Sequence, residues 1–229
     1  MGEKEKIIEQ ALSEGRNTLS EYESKRLLHA YDIPVTNEVL VRGYDDFKGA
    51  IQKVGFPLVI KACAPDLAHK TEQGLVRVDI RNEEEAQQAY EEIMLKVQGS
   101  GGGILVQEMV KGHRELMVGM TRDAQFGPCV MFGLGGIFTE ILKDVVFRVA
   151  PIERKDALEM TREIKAHKIL GEVRGMPPAD IDELVRILIN VGQMGLDHEP
   201  IKEVDINPLI LSGSKPIAAD ALVVLAPPT

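Results

Sequence analysis

Two residues near one turn carry the first chemical signal. Lys61 interrupts the apolar run Leu58-Val59-Ile60-Lys61-Ala62, and His69 lies in the polar stretch Ala64-Pro65-Asp66-Leu67-Ala68-His69-Lys70-Thr71-Glu72-Gln73-Gly74. The run Leu75 to Ile80 then alternates apolar and polar, so strand–loop–strand is predicted. An ammonium buried without an anion is costly. Lys61 is therefore either an edge-strand lysine reaching water or a fixed cation for an anionic ligand such as a nucleotide phosphate. His69 is either a surface residue or a nucleophile. A neutral imidazole nitrogen can take a phosphoryl group near neutral pH and return it to ADP.

A second constellation lies near the C-terminus, in Glu203-Val204-Asp205-Ile206-Asn207-Pro208-Leu209. Side chains alternate along a strand, so Val204 and Ile206 face one way and Glu203, Asp205 and Asn207 the other. Pro208 is expected to end the pairing, and Asp220 on the next strand adds a carboxylate. Asp205, Asn207 and Asp220 match what Mg²⁺ takes from a protein, a few oxygens completed by phosphate and water. An exposed polar strand face is the plainer alternative. A third stretch, Ile104 to Val110 followed by Glu115, reads as a strand leading into a hinge. Backbone groups there can read adenine between Met109 and Val110, and Glu115 can meet ribose hydroxyls. Gly133-Leu134-Gly135-Gly136 can cradle phosphate with backbone amides. It lacks P-loop spacing and is equally readable as a plain turn.

The elements that must position these residues are interspersed helices and strands. Helices are predicted over 3–14, from Ser20 to Tyr31, from Phe47 to Val54, and over 83–97, 153–165 and 179–194. Ser20-Glu21-Tyr22-Glu23 has the capping-box pattern. Strands are predicted at 39–41, 58–62, 75–80, 104–109, 114–121, 128–132, 145–149, 201–206, 209–211 and 216–224, several of them antiparallel. The expected class is α+β (mixed α/β), with two lobes around a cleft and a break near 110–125.

The chain has 229 residues, 44% of them hydrophobic and 28% charged, with no Trp. That is ordinary for a globular protein whose core rests on aliphatic side chains. A net charge of −9 argues against general binding of nucleic acid or of a membrane surface. Two cysteines without CxxC spacing argue against a disulfide or zinc scaffold. No apolar run reaches the roughly 20 residues a bilayer span needs, and Met1 to Lys6 has no signal core. A reducing, cytoplasmic setting is the expectation.

Together these segments resemble the ATP-grasp fold and, more closely, the β subunit of ADP-forming acetyl-CoA synthetase (acetate–CoA ligase, ADP-forming). The resemblance rests on Leu19-Ser20-Glu21-Tyr22-Glu23-Ser24-Lys25, Val59-Ile60-Lys61, Pro65-Asp66-Leu67-Ala68-His69-Lys70-Thr71, Met131-Phe132-Gly133-Leu134-Gly135-Gly136 and Asp205-Ile206-Asn207-Pro208-Leu209. It implies a small lobe with the phosphohistidine loop over residues 1–115 and a C-terminal lobe with the Mg²⁺ site over 116–229. It also implies a separate α subunit, in an α2β2 assembly, that binds CoA and forms an acyl phosphate. The phosphoryl group then passes through a histidine of α to His69, on a loop that moves between two sites, and on to ADP. By the same resemblance Lys61 and Glu108 contact the nucleotide, Met109 and Val110 form its adenine hinge and Glu115 meets the ribose. Asn207 and Asp220, assisted by Asp205, hold Mg²⁺, while Gly135, Gly136 and Arg148 are assigned to phosphate. The rival readings are a succinyl-CoA-synthetase-like or malate–CoA ligase β subunit, and a nucleotide-sensing module without catalysis.

Overall fold

The computed structural model describes residues 2–64, 74–97, 102–136 and 143–226. The chain forms two compact units. The smaller comprises Ser20–Tyr22 and Thr36–Met109, and the larger comprises Met1–Leu19, Glu23–Val35 and Val110–Thr229.

Among the described residues the smaller unit is a four-stranded sheet with two helices. Its strands are β1 (Glu38–Val41), β2 (Leu58–Cys63), β3 (Val76–Ile80) and β4 (Gly103–Glu108), in the order β1-β4-β2-β3. The pairings among the described residues of these strands are antiparallel. Helices α3 (Tyr44–Val54) and α4 (Glu83–Val97) supply Phe47, Ala50, Ile51, Ala86, Ala89 and Ile93 to one core with Leu58, Ile60 and Ala62. Period-two alternation in β2 then turns Lys61 away from that core. Asn82 caps α4 by accepting the Glu85 N–H at 2.9 Å.

Among the described residues the larger unit is a six-stranded antiparallel sheet backed by helices. It contains β5 (Glu115–Asp123), β6 (Gly127–Leu134), β7 (Val145–Val149), β8 (Ile201–Ser212), β9 (Lys215–Ala218) and β10 (Leu222–Leu225). The order is β10-β8-β5-β6-β7, with β9 on β8. Helices α5 (Arg154–Glu163) and α6 (Ile181–Asp197) cover the face that carries Val118, Met120, Val130, Phe132, Val204 and Ile206. Leu184, Leu188 and Val191 of α6 are wholly buried there. Each such side chain stabilises by roughly 1.5–3 kcal/mol.

Helix α6 starts two residues later than its apolar period suggests. Asp180 takes the capping position and accepts the Glu183 N–H at 3.0 Å, which needs a non-helical backbone. At the other end Arg122 donates to the carbonyls of Gly195, His198 and Ile201, placing a cation at the negative helix terminus. Arg114 is a second clamp. It is 6% exposed and donates to the carbonyls of Ile169, Gly171, Pro177 and Gly213.

Three sequence expectations change. Helices α1 (Glu3–Ser13) and most of α2 (Glu21–Ala30) belong to the larger unit, not to the sheet that follows them. Ile7, Ile8, Leu27 and Leu28 join its apolar cluster, and the backbone of Leu19 pairs with Val223 at 3.0 Å. Pro208 does not end strand pairing. β8 runs on to Ser212, pairing Leu209 with Leu116 and Ile210 with Glu115. The register shifts between Leu116 and Val118, opposite the proline, so the missing N–H falls where the ladder is already irregular. Conversely, the predicted 216–224 strand divides into β9 and β10, and Asp220 sits in the break.

Among the described residues no helix is long and apolar enough to cross a membrane.

Candidate active site

In the smaller unit Lys61 lies on an interior strand, between β3 and β4, opposite Val76 and Leu105. The edge-lysine alternative therefore fails, since no strand edge offers its ammonium a route to water. Its Nζ donates to Glu21 Oε1 at 2.9 Å, with the two side chains 8% and 1% exposed. Glu21 opens α2 within the segment read as a capping box, and the sequence reading gave it no role at the site. Glu108 closes β4. Its Oε1 accepts the Asn37 N–H at 2.8 Å, while its own N–H goes to the Asn37 carbonyl. Met109 donates its N–H to Pro57 at 3.3 Å, so the hinge segment is tied to the loop before β2.

His69 lies outside the described residues. The flanks of its segment are tied by hydrogen bonds. Ala62 N–H bonds the Leu75 carbonyl at 2.9 Å, and Gly74, at φ +64, offers its carbonyl to Arg77 and Lys96.

In the larger unit Glu203 and Asp205 take the face that the strand alternation predicts. Asp205 sits opposite Gly119 of β5 and Leu222 of β10, on the sheet face away from α5 and α6. Its Oδ1 is buried and has no hydrogen-bond partner among the described residues. Burial, together with the neighbouring Glu203 and Asp220 carboxylates, pushes the Asp205 carboxyl up to about 6. Asp220 is brought alongside because Ala219 N–H bonds the Pro208 carbonyl at 3.0 Å; its Oδ1 accepts the Ala221 N–H.

Asn207 Oδ1 accepts the Gly136 N–H at 2.9 Å, and the Gly135 N–H bonds the Glu115 carbonyl at 2.9 Å. The glycine turn is thus held between Asn207 and Glu115. Only glycine fits at its two last positions. A Cβ on Gly135 would stand 2.3 Å from the Leu116 carbonyl oxygen. One on Gly136, where φ is +60, would stand 1.9 Å from Glu115 Oε2. Gly136→Ala is expected to cost about 1–2 kcal/mol from the left-handed backbone alone and to displace the Glu115 carboxylate. Thermal unfolding should fall by about 2–8 °C, and calorimetry should show weaker ADP binding.

The structure does not bring Arg148 to this group. Arg148 pairs with Val130, so it lies on the helix-covered face, and its guanidinium bonds Glu163 of α5. Asp205, through Gly119 and Met131, shares a face with Phe147 instead. Glu115, Gly135, Gly136, Asp205, Asn207 and Asp220 therefore form one constellation in the larger unit, and Val110 opens that unit's last segment. Lys61, Glu108 and Met109 belong to the smaller unit.

The donor set suits a hard cation that keeps outside ligands. Among the described residues no group of three or more His, Cys, Asp or Glu is arranged to hold a metal ion by itself. Two carboxylates and an amide oxygen, one carboxylate oxygen buried and unpartnered, fit Mg²⁺ that completes its shell with phosphate and water.

Comparison with known proteins agrees with this chemistry. A family model described as an ATP-grasp domain matches residues 10–225. The β subunit of acetate–CoA ligase [ADP-forming] I from Pyrococcus furiosus is 45% identical over 96% of each chain. Acetate–CoA ligase [ADP-forming] I of Archaeoglobus fulgidus is 41% identical over 96% of this chain, which spans 33% of that longer protein. A solved acetyl-coenzyme A synthetase 1 from Candidatus Korarchaeum cryptofilum superposes with a TM-score of 0.87 at 41% identity, covering 97% of this chain and all of that one. That structure holds coenzyme A and Mg-AMPPCP, with its phosphohistidine segment pointing towards the nucleotide-binding site. The chain is an ATP-grasp protein and belongs to the β-subunit family of ADP-forming acetate–CoA ligases.

Proposed function

We propose that this chain is the nucleotide-binding, phosphoryl-relaying β subunit of an ADP-forming acid–CoA ligase. It carries a phosphoryl group to ADP and so makes ATP as an acyl-CoA is converted to acid and CoA. The observation that carries this reading is the match along nearly the full length of both chains to the Pyrococcus β subunit. It takes precedence over the succinyl-CoA-synthetase-like, malate–CoA ligase and nucleotide-sensing alternatives. The acyl-phosphate chemistry belongs to an α partner, a reading supported by the much longer Archaeoglobus relative that contains the equivalent of this chain. An α2β2 assembly in the cytoplasm is the corresponding proposal.

The relay has two balanced steps. A neutral imidazole nitrogen of His69 attacks the phosphorus presented by α, forming an N–P bond as the bond to the previous carrier breaks. A terminal phosphate oxygen of ADP then attacks the same phosphorus; the N–P bond breaks, its electron pair returning to the imidazole. Phosphoryl transfer is mostly positioning and charge neutralisation. Lys61 supplies a fixed cation, and the Gly135–Gly136 amides and Glu115 shape the turn beside the nucleotide. Glu108, Met109 and Val110 form the strand end and hinge that receive adenine. Asp205, Asn207 and Asp220 would hold Mg²⁺, which when bound neutralises phosphate oxygens.

The test is to mix the chain with its α partner, an acyl-CoA, ADP and radiolabelled phosphate. Label is expected on His69 in the absence of ADP and in ATP once ADP is added. Label in ATP without any passing through His69 would sink the relay.

A further inference from the structure

Lys61 already has an anion. The buried Nζ of Lys61 is 2.9 Å from Glu21 Oε1, and the carboxylate is more deeply buried than the ammonium. We infer that Glu21 is a resident counter-ion that competes with nucleotide phosphate for Lys61, stabilising the nucleotide-free chain and lowering its nucleotide affinity. The inference rests on the reading above, in which Lys61 meets the nucleotide.

Three physical points support it. First, β2 is flanked by β3 and β4, so the ammonium stays where the strand holds it and needs compensation at all times. Second, Glu21 is the first residue of α2, where the helix dipole favours a carboxylate. It therefore keeps a favourable setting when Lys61 turns part of its charge to another acceptor. Third, an ammonium has three donors and can hold two anions at once, but its single charge is then shared. Each anion weakens the other's attraction, as two like charges at one site do. Removing the internal anion should strengthen the external one.

The sign of this effect separates the inference from a purely structural role. Glu21→Gln keeps the shape and an acceptor oxygen but removes the charge. In the full chain, calorimetry should show ADP binding about tenfold tighter, the scale of one hydrogen bond to a charged group. Adenosine, which has no phosphate, should bind with unchanged affinity. Without nucleotide the variant should unfold at lower temperature than the parent, and ADP should raise that temperature by more than it does for the parent. Glu21→Asp keeps the charge but withdraws it, and should tighten ADP binding in the same direction by a smaller factor. It serves where the glutamine variant does not fold.

Lys61→Met tells failure of the inference from failure of the reading beneath it. That variant should bind ADP at least about tenfold more weakly, and adding Glu21→Gln to it should change ADP affinity no further. Unchanged ADP affinity in Lys61→Met overturns the assignment of Lys61 to the nucleotide. Weakened ADP binding in Lys61→Met, combined with equal or weaker ADP binding in Glu21→Gln, overturns the counter-ion role alone. Parallel changes for ADP and adenosine also overturn it, because they mark a general loss of structure.

Discussion

His69→Ala is expected to reduce ATP formation from acyl-CoA, phosphate and ADP by more than about 10⁴-fold, because a missing nucleophile leaves no relay. ADP affinity measured by calorimetry should stay within about twofold of the parent, since the proposed nucleotide contacts are assigned to other residues. A general base behaves differently. Its removal costs about 10²–10⁴-fold and leaves a slow reaction through the same intermediates. A carrier divides the reaction at a definite place. With the α partner present, transfer of labelled phosphate onto the α subunit should continue in His69→Ala for one turnover per site and then stop. ADP should not discharge that label, whereas in the parent it should.

The flanks of the segment support reading a loss as chemical. The pairing of Ala62 with Leu75, and of Arg77 and Lys96 with the Gly74 carbonyl, involves no atom of His69. A change of folding stability beyond about 0.5 kcal/mol is not expected from this substitution. ATP formation near the parental rate in His69→Ala would remove the relay from the mechanism.

Much of the architecture is legible from periodicity. The 83–97 helix and the β7 strand are observed with the bounds their patterns suggest. The face shared by Glu203 and Asp205 follows from a period of two. Longer-range matters are not legible. Lys61 shows that an anion must be near, but the anion lies 40 positions earlier, in a segment whose local pattern announces only a helix start. Arg148 illustrates the limit differently. Its motif suggests phosphate, whereas its face depends on a register with Val130 that only strand pairing fixes. A one-residue difference in register would have turned it to the other side. Pro208 misleads for a similar reason. A proline is a sound stop signal for an isolated strand, but a ladder that already shifts register can absorb it. The Asn207–Gly136 bond joins segments 71 positions apart, and no local pattern announces it.

Asp205→Asn should make the nucleotide-free chain more stable while impairing its function, and pH fixes the sign. Burial first, then Glu203 and Asp220, raise the Asp205 carboxyl from 3.8 to about 6. The folded chain therefore holds this proton more tightly than the unfolded chain does. Below about pH 4 the group is protonated in both states and costs nothing. Between about pH 4 and 6 the unfolded chain gives up its proton first, so stability falls as pH rises through that window. Above it the penalty is complete, at about 3 kcal/mol for a shift of about two units. An amide cannot ionise and escapes the penalty. Thermal unfolding of Asp205→Asn should exceed the parent by about 6–12 °C at pH 8, given about 2–4 °C per kcal/mol for a chain of this size. The difference should close at pH 4. Mg²⁺ with ADP should reverse the order at pH 8. The cation compensates the carboxylate and stabilises the parent in proportion to binding, whereas the amide binds the pair more weakly. Melting curves at two pH values, with and without Mg²⁺ and ADP, contain the whole test. Equal stability of the two chains at pH 8 without ligand would show that Asp205 bears no strain. A stabilised variant that still gains fully from Mg²⁺ and ADP would show that the strain serves something other than the metal.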